Sequence, residues 1–302
     1  MRHTKVAIVG AGAVGSTIAY SLILNNVAAE IMLIDINEER CKGEVLDLSD
    51  ALAFSDTSKI HQSSAQDARE SDIIIICAGT AQKPGQPRTE LININKKIVT
   101  SVIKDLTPLK EKTIIIVVTN PVDAMTFFAQ QASNLPKNNI FGSGTFLDTQ
   151  RLKGALSKKL HIAEQSIQTC VIGEHGDSQV PTWSSTYVGG KPVLDFPEIN
   201  KEVLDKTMKE VRQKAYEIIN CKGATFFGIA SCVSALCESV LFDQKKVLPV
   251  SVFMEEFGVC LGIPAIIGRH GVEEIVPVLL NKKEKKLLEL SAKKIRETIG
   301  IL

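Results

Sequence analysis

The sequence predicts an α/β protein: a doubly wound parallel sheet in the first half, followed by an α+β half. Three observations carry that prediction. Short, nearly continuous Ile and Val runs alternate with longer segments of helical spacing up to about residue 140. A glycine-rich turn separates the first such run from the first helix. After about residue 143 the alternation gives way to mixed strands and long helices.

Residues 6–9, 31–35, 73–77 and 113–118 read as strands buried on both faces, because parallel strands covered by helices are apolar at nearly every position. Between them, 14–25, 38–52 and 91–109 carry helical spacing, and this repetition implies parallel pairing through right-handed crossovers. Farther on, 147–160 reads as a helix, 166–172 and 184–188 as strands joined through Gly and Pro, and 202–220 and 225–241 as long helices. Residues 247–269 read as a hairpin-like pair of strands. In the closing helix, 282–299, Leu287, Leu288, Leu290 and Ile295 fall roughly on one side, and the Lys-Lys-Glu-Lys-Lys run reads as a solvated face. No Pro- or Ser-rich linker, repeat or low-complexity tract intervenes, so two tightly packed domains, 1–142 and 143–302, are expected.

Composition narrows the classes. A chain of 302 residues suggests two domains at about 100–200 residues each. With 44% hydrophobic and 23% charged residues it can bury a sizeable core. Thirty-five basic against 34 acidic residues leave a formal charge of +1, which argues against a general nucleic-acid or membrane-surface binder. The apolar stretch 6–9 is far too short for a secretory signal, and the runs 73–79 and 114–118 are strand-sized rather than membrane-spanning. Seven cysteines (41, 77, 170, 221, 232, 237 and 260), odd in number and without a CxxC pair, speak against a disulfide framework or a zinc knuckle. They predict reduced, mostly buried thiols in a cytosolic protein, with no metal.

Gly10-Ala-Gly12-Ala-Val14-Gly15 matches G-x-G-x-x-G, with a strand before it, a helix after it and Asp35 at the end of the next strand. This is the Rossmann context. Gly10 permits a tight turn, Gly12 lets a pyrophosphate approach the backbone, and Gly15 lets helix and strand pack closely. The helix N-terminus adds unpaired N–H groups and partial positive charge. Asp35 stands twenty residues beyond Gly15, where a carboxylate accepts hydrogen bonds from ribose and repels a 2′-phosphate, favouring NAD over NADP. Arg40 could soften that preference. A ligand-free strand–helix turn would use the same glycines, but it would not need the acid.

Chemistry is concentrated farther along. Gly173-Glu-His175-Gly-Asp177 leaves an imidazole free of bulky neighbours, suited to exchanging a proton near neutral pH. His3, His61, His161 and His270 lack such a setting and read as ordinary histidines. Asp148-Thr-Gln-Arg151 puts a carboxylate and a guanidinium one helical turn apart, either a working pair or a capping Asp with a local ion pair. The loop 78–88 after the Ile73 strand contains Gln82, Arg88, two prolines and two glycines at the ligand-binding edge of the sheet, as a lid or as a plain connector. Thr119-Asn120-Pro121-Val-Asp123 leaves the next strand at the same edge.

In order and spacing, the glycine turn, the 82–88 loop and segments 119–123, 148–151 and 173–177, with Lys222-Gly-Ala-Thr225, resemble the lactate/malate dehydrogenase family. The match covers essentially the whole chain from Val6 and looks like the bacterial lactate-oxidising branch, without a long N-terminal arm. The resemblance implies that Arg151 grips the substrate carboxylate, His175 exchanges the hydroxyl proton, and Asp148 orients the imidazole. It implies that Arg88, on a closing loop, polarises the carbonyl and that Asn120 bonds the reacting oxygen. Asp123, Asp148 and Thr225 join the substrate set, and Val14, Arg40, Gly79, Thr80, Ser101, Val118, Thr119, Asn120 and Ser143 join the NAD set.

A neutral Gln82, where malate-oxidising members carry arginine, would leave a second carboxylate unpaired; lactate and pyruvate are therefore expected as substrates. Lys153 and Gln168 stand where members activated by fructose 1,6-bisphosphate carry arginine and histidine, so weak or absent activation is expected. The resemblance further implies a cytoplasmic homotetramer of glycolysis or fermentation, with a small-molecule substrate and no nucleic-acid or membrane partner. A malate or other L-2-hydroxy-acid dehydrogenase, and a non-catalytic dinucleotide-binding module, remain the alternatives.

Overall fold

The computed structural model describes residues 4–57, 59–80 and 88–300, with the side chain of Arg88 outside that description. Its first half comprises β1 (Lys5–Val9), α1 (Ala13–Leu24), β2 (Glu30–Ile34), α2 (Glu38–Asp50), β3 (Lys59–Gln62), α3 (Ala65–Ala68), β4 (Ile73–Ile76), α4 (Arg88–Leu106), β5 (Ile114–Val117), α5 (Val122–Ala132) and β6 (Ile140–Gly142). The strands pair in parallel in the order β6-β5-β4-β1-β2-β3. Every residue of β4 and β5 is buried, as continuous Ile and Val runs require of central parallel strands.

The four expected strands of this half are present. The sequence reading left out β3, α3, α5 and β6. β3, an edge strand of sequence KIHQ, buries only Ile60 fully and so lacks an apolar run. α5 is buried along nearly its whole length, which erases the one-sided period that marks a surface helix. α4 stops at Leu106 rather than 109, because Pro108 disfavours helical geometry in the residue before it.

The second half comprises α6 (Phe146–Leu160), β7 (Ile167–Gln168), β8 (Val171–Ile172), β9 (Val180–Pro181), β10 (Tyr187–Val188), β11 (Lys191–Pro192), α7 (Lys201–Lys222), α8 (Phe227–Leu241), β12 (Lys246–Met254), β13 (Val259–Gly268), β14 (Gly271–Ile275) and α9 (Lys282–Ile299). The expected strand 166–172 is two short strands: β7 pairs in a sheet with β10 and β11, and β8 pairs with β9. Of 184–188 only Tyr187–Val188 is strand, after a 3-10 turn at Trp183–Ser185. The hairpin is present as antiparallel β12 and β13, with β14 added at its outer edge.

That hairpin joins the two halves. Ser251 of β12 pairs with Gly142 of β6, so the parallel sheet continues through β12, β13 and β14 as nine strands. One apolar cluster accordingly runs from Val6 through Phe141 and Ile263 to Ile299. In α9 the buried stripe is Leu288, Ala292, Ile295 and Ile299, whereas Leu287 and Leu290 are 39% and 52% exposed. A 3.6-residue repeat carries those two leucines off the stripe on either side. Among the described residues no single helix is long and apolar enough to cross a membrane. All seven cysteines are free; Cys41, Cys232, Cys237 and Cys260 are buried and Cys221 is exposed.

Candidate active site

The first part of the site lies at the carboxyl ends of β1, β2, β4 and β5. Gly10 follows β1 with φ +107°, and a Cβ there would lie 2.8 Å from the Ala78 amide nitrogen. A Cβ on Gly15 would lie 1.9 Å from the Gly10 carbonyl oxygen. Packing of the turn therefore demands both. Gly12 differs: its Cβ would meet nothing within 4 Å, so no protein contact explains it, and it fits a backbone that a phosphate must approach. As N-cap of α1, Gly12 supplies no side-chain partner to the first-turn N–H groups, which leaves donors and the positive end of the helix dipole at the turn. Val14 sits half-buried in that first turn.

Asp35 follows β2 and accepts from the Ala11 N–H at 2.7 Å and the Asn37 N–H at 2.8 Å. Its half-exposed carboxylate is thus braced against the glycine turn. Arg40, on the first turn of α2, pairs with Glu44 at 3.9 Å on the surface.

A second pair of turns adjoins the first. The Thr119 hydroxyl donates to the Ala78 carbonyl at 2.7 Å, and a Cβ on Gly79 would lie 2.6 Å from the Thr119 methyl. Asn95, a buried residue of α4, accepts from the Thr80 N–H at 2.9 Å and donates to the Thr80 and Asn120 carbonyls at 3.2 and 2.7 Å. Val118 and Ser143 are buried at the same edge, and the Ser143 N–H donates to the Val117 carbonyl at 2.9 Å. Ser101 stands on the exposed side of α4 with its hydroxyl 3.5 Å from Asp105. Gln82 lies outside the described residues, and Arg88 contributes only its place at the start of α4.

His175 is held from several sides. Its turn bridges to β13 through reciprocal Gly173–Gly262 backbone bonds of 2.8 Å. The Glu174 N–H donates to the Ser291 hydroxyl of α9 at 2.8 Å, and the His175 N–H donates to Asp123 Oδ2 at 2.8 Å. The start of α6 is stitched to β8, because Thr145 donates to the Val171 carbonyl at 2.5 Å and Thr149 accepts the Val171 N–H at 2.9 Å. This brings Asp148 to the imidazole: His175 Nδ1 lies 2.5 Å from Asp148 Oδ2, with the carboxylate buried and the imidazole 26% exposed. With Nδ1–H donating to the carboxylate, Nε2 is the atom left for exchange.

Arg151, one turn along and itself buried, places Nη1 3.4 Å from Asp148 Oδ1. The nearby Asp148 charge raises the imidazole above the usual histidine range, against burial and the Arg151 charge. Burial pushes the Asp148 carboxyl up, but the charges and hydrogen bonds of His175 and Arg151 outweigh it and hold the carboxyl below its ordinary value.

Thr225 lies half-buried in the turn between α7 and α8. Three residues on, a Cβ at Gly228 would lie 2.9 Å from Leu147 Cδ1, which puts this turn beside the start of α6. Lys153 is partly buried near Cys170 and Glu164, and Gln168 is exposed on β7.

The sequence reading missed Asn95 and Ser251. Both carried a signal: Asn95 interrupts the apolar stripe Leu91, Ile92, Val99 and Ile103, and Ser251 sits between Val250 and Val252. A polar residue in a buried stripe must find partners inside.

Fold and site together define a dinucleotide-binding α/β protein with a buried carboxylate–imidazole pair at the ligand edge of its sheet. The chain matches the family models for the lactate/malate dehydrogenase NAD binding domain over residues 4–142 and for the alpha/beta C-terminal domain over residues 145–300. It is 44% identical to L-lactate dehydrogenase A of Rhizopus oryzae, covering 97% of this chain and 92% of that one. It is 38% identical to L-lactate dehydrogenase of Lacticaseibacillus casei, covering 98% and 94%. Among solved structures, a lactate dehydrogenase from a Medee basin deep-sea metagenome superposes with TM-score 0.95 at 34% identity over 100% of this chain and 99% of that one. The minor L-lactate dehydrogenase of Enterococcus mundtii, in a ligands-bound form, gives the same score and identity over 99% and 98%. The chain belongs to the lactate/malate dehydrogenase family, and its cofactor is NAD.

Proposed function

We propose that the protein is an NAD-dependent L-lactate dehydrogenase that interconverts L-lactate and pyruvate, with 1–142 as the cofactor unit and 143–302 as the substrate unit. The observation that carries the reading is the 2.5 Å His175–Asp148 contact with Arg151 on the same helix face. When bound, the reduced nicotinamide supplies the hydride accepted by C2 of the 2-oxo acid. Arg151 holds the substrate carboxylate through its planar fork, which fixes the carbonyl's direction. Protonated His175 gives the Nε2 proton to the carbonyl oxygen, and Asp148 stabilises the imidazolium before that transfer. In lactate oxidation neutral Nε2 takes the hydroxyl proton. Asn120 and Arg88 are assigned to the reacting oxygen, and Gln82 and Thr225 to the end of the substrate bearing the methyl group.

A cytoplasmic homotetramer working in fermentative glycolysis is the finer form of this reading, supported by the family resemblance. The test is a 2-oxo-acid panel followed at the NADH absorbance band, repeated with NADPH. Pyruvate with NADH is expected to give the highest kcat/KM. Preference for oxaloacetate or a bulkier 2-oxo acid would move the protein to another branch, and no turnover on any 2-oxo acid would overturn the enzymatic reading. Fructose 1,6-bisphosphate is expected to leave pyruvate saturation nearly unchanged, because Lys153 and Gln168 lack the fork and the titratable cation; a large drop in apparent KM would contradict that.

A further inference from the structure

Asp123 was expected among the substrate ligands, yet both of its carboxylate oxygens are engaged within the protein. Oδ2 accepts the backbone N–H of His175 at 2.8 Å, and Oδ1 accepts the hydroxyl of Ser251 at 2.6 Å. The carboxylate is only 3% exposed. Ser251 is fully buried on β12, at the residue that pairs with Gly142 and so joins the hairpin to the parallel sheet. Asp123 opens α5 three residues after Asn120, whose carbonyl is in turn held by Asn95.

We infer that Asp123, braced by Ser251, is a positioning residue: it fixes the main chain of His175 relative to the Asn120 turn, while Asp148 fixes the imidazole ring. The inference deepens the lactate dehydrogenase reading and rests on it for the chemistry of His175. Two backbone-to-carboxylate and ring-to-carboxylate anchors from different elements leave the imidazole little freedom to swing, which is what proton transfer over hydrogen-bond distance requires.

The charge of Asp123 also acts on the ring. The groups facing His175 are Asp148 and Arg151 from α6, Asp123 from α5, and its own neighbour Glu174, which is tied to Lys294 of α9 at 3.3 Å. On the sheet side of Asp123 itself lie the Ser251 hydroxyl of β12 and the Cys260 thiol of β13. Burial lifts the Asp123 carboxyl to about 6, which leaves it an anion at neutral pH beside the imidazole. An anion there favours the protonated ring.

The experiment compares wild type, Asp123→Asn, Asp123→Ala and Ser251→Ala. Asparagine can still accept the His175 N–H and donate to Ser251, so it removes charge and spares shape. For Asp123→Asn the alkaline limb of kcat/KM for pyruvate reduction is expected about 0.5–1 pH unit lower than in wild type. Carbon-13-labelled histidine, assigned with His175→Gln, should show the same downward shift of the His175 titration without any substrate. For Asp123→Ala, kcat is expected to fall about 100-fold. NADH affinity, read from its fluorescence, should stay within about 2-fold in Asp123→Asn, which keeps both hydrogen bonds and the shape of the turn.

Ser251→Ala is expected to lower kcat in the same direction by less, and it decides the matter if Asp123→Ala does not fold. Wild-type kcat in Asp123→Ala or Ser251→Ala overturns the positioning role, and an unmoved His175 titration in Asp123→Asn overturns the part assigned to its charge. A wild-type protein that turns over no 2-oxo acid overturns the functional reading alone, because the His175 titration, read without substrate, still tests the contact with Asp123.

Discussion

The His175–Asp148 pair links chemistry to stability, and the sign of that link follows from the shifts. The folded-state value of His175 is raised, so its contribution to stability is fully present below the ordinary value of 6.5 and is lost as pH rises through the raised one. Asp123, also raised, loses stability between its ordinary 3.8 and about 6, while the lowered Asp148 gains stability with pH in the acid range. Above neutrality only the histidine contribution among these three changes. Thermal unfolding of the ligand-free protein is therefore expected at lower Tm as pH rises past neutral, with a flatter profile in His175→Asn; parallel profiles would contradict the assignment.

The proposed choice of substrate rests on Gln82. Replacing Gln82 by arginine supplies a partner for a second carboxylate, and the ratio of kcat/KM for oxaloacetate over pyruvate is expected to rise about 10²–10⁴-fold. An unchanged ratio in steady-state kinetics would remove Gln82 from the specificity role.

At the level of elements, the turn between β1 and α1 separates two uses of glycine. Gly15 is required by the fold, since a Cβ would fall 1.9 Å from the Gly10 carbonyl, whereas the space beside Gly12 is open. Gly12→Ala is thus expected to fold with a Tm within about 2 °C of wild type yet bind NADH about 10-fold or more weakly, because the methyl fills the phosphate's approach. Gly15→Ala should lose several degrees of Tm as well as binding. Equal effects of the two on stability would show that Gly12 also serves packing. α4 shows a related division: its apolar stripe joins the shared core, and Asn95 within that stripe ties Thr80 to Asn120. Such a residue reads from sequence as a blemish in the helix pattern until its partners are known.

Across the whole molecule, the nine-stranded sheet and the apolar cluster running through it unite both halves. A core shared in this way is not expected to unfold in pieces. Calorimetry of the ligand-free protein should give one transition, and residues 1–142 expressed alone should expose the β6 edge and the apolar surface that β12 covers, and aggregate. Two resolved transitions, or a soluble folded fragment, would show the halves to be independent.

Local pattern was enough for the four apolar parallel strands, the glycine turn with Asp35, the Asp148–Arg151 turn of helix and the hairpin near the end, because each is written in neighbouring residues whose burial and backbone needs are local. Tertiary structure alone decided that the hairpin extends the parallel sheet, that the segment 166–172 breaks into strands of two sheets, and that Asn95 and Ser251 are anchors. It also decided the employment of Asp123. These depend on which distant backbone or side-chain group fills a buried hydrogen bond, and the partners here lie 15 to 128 residues away. No periodicity carries that information, since a buried polar atom announces only that it needs a partner, while packing determines which one it receives.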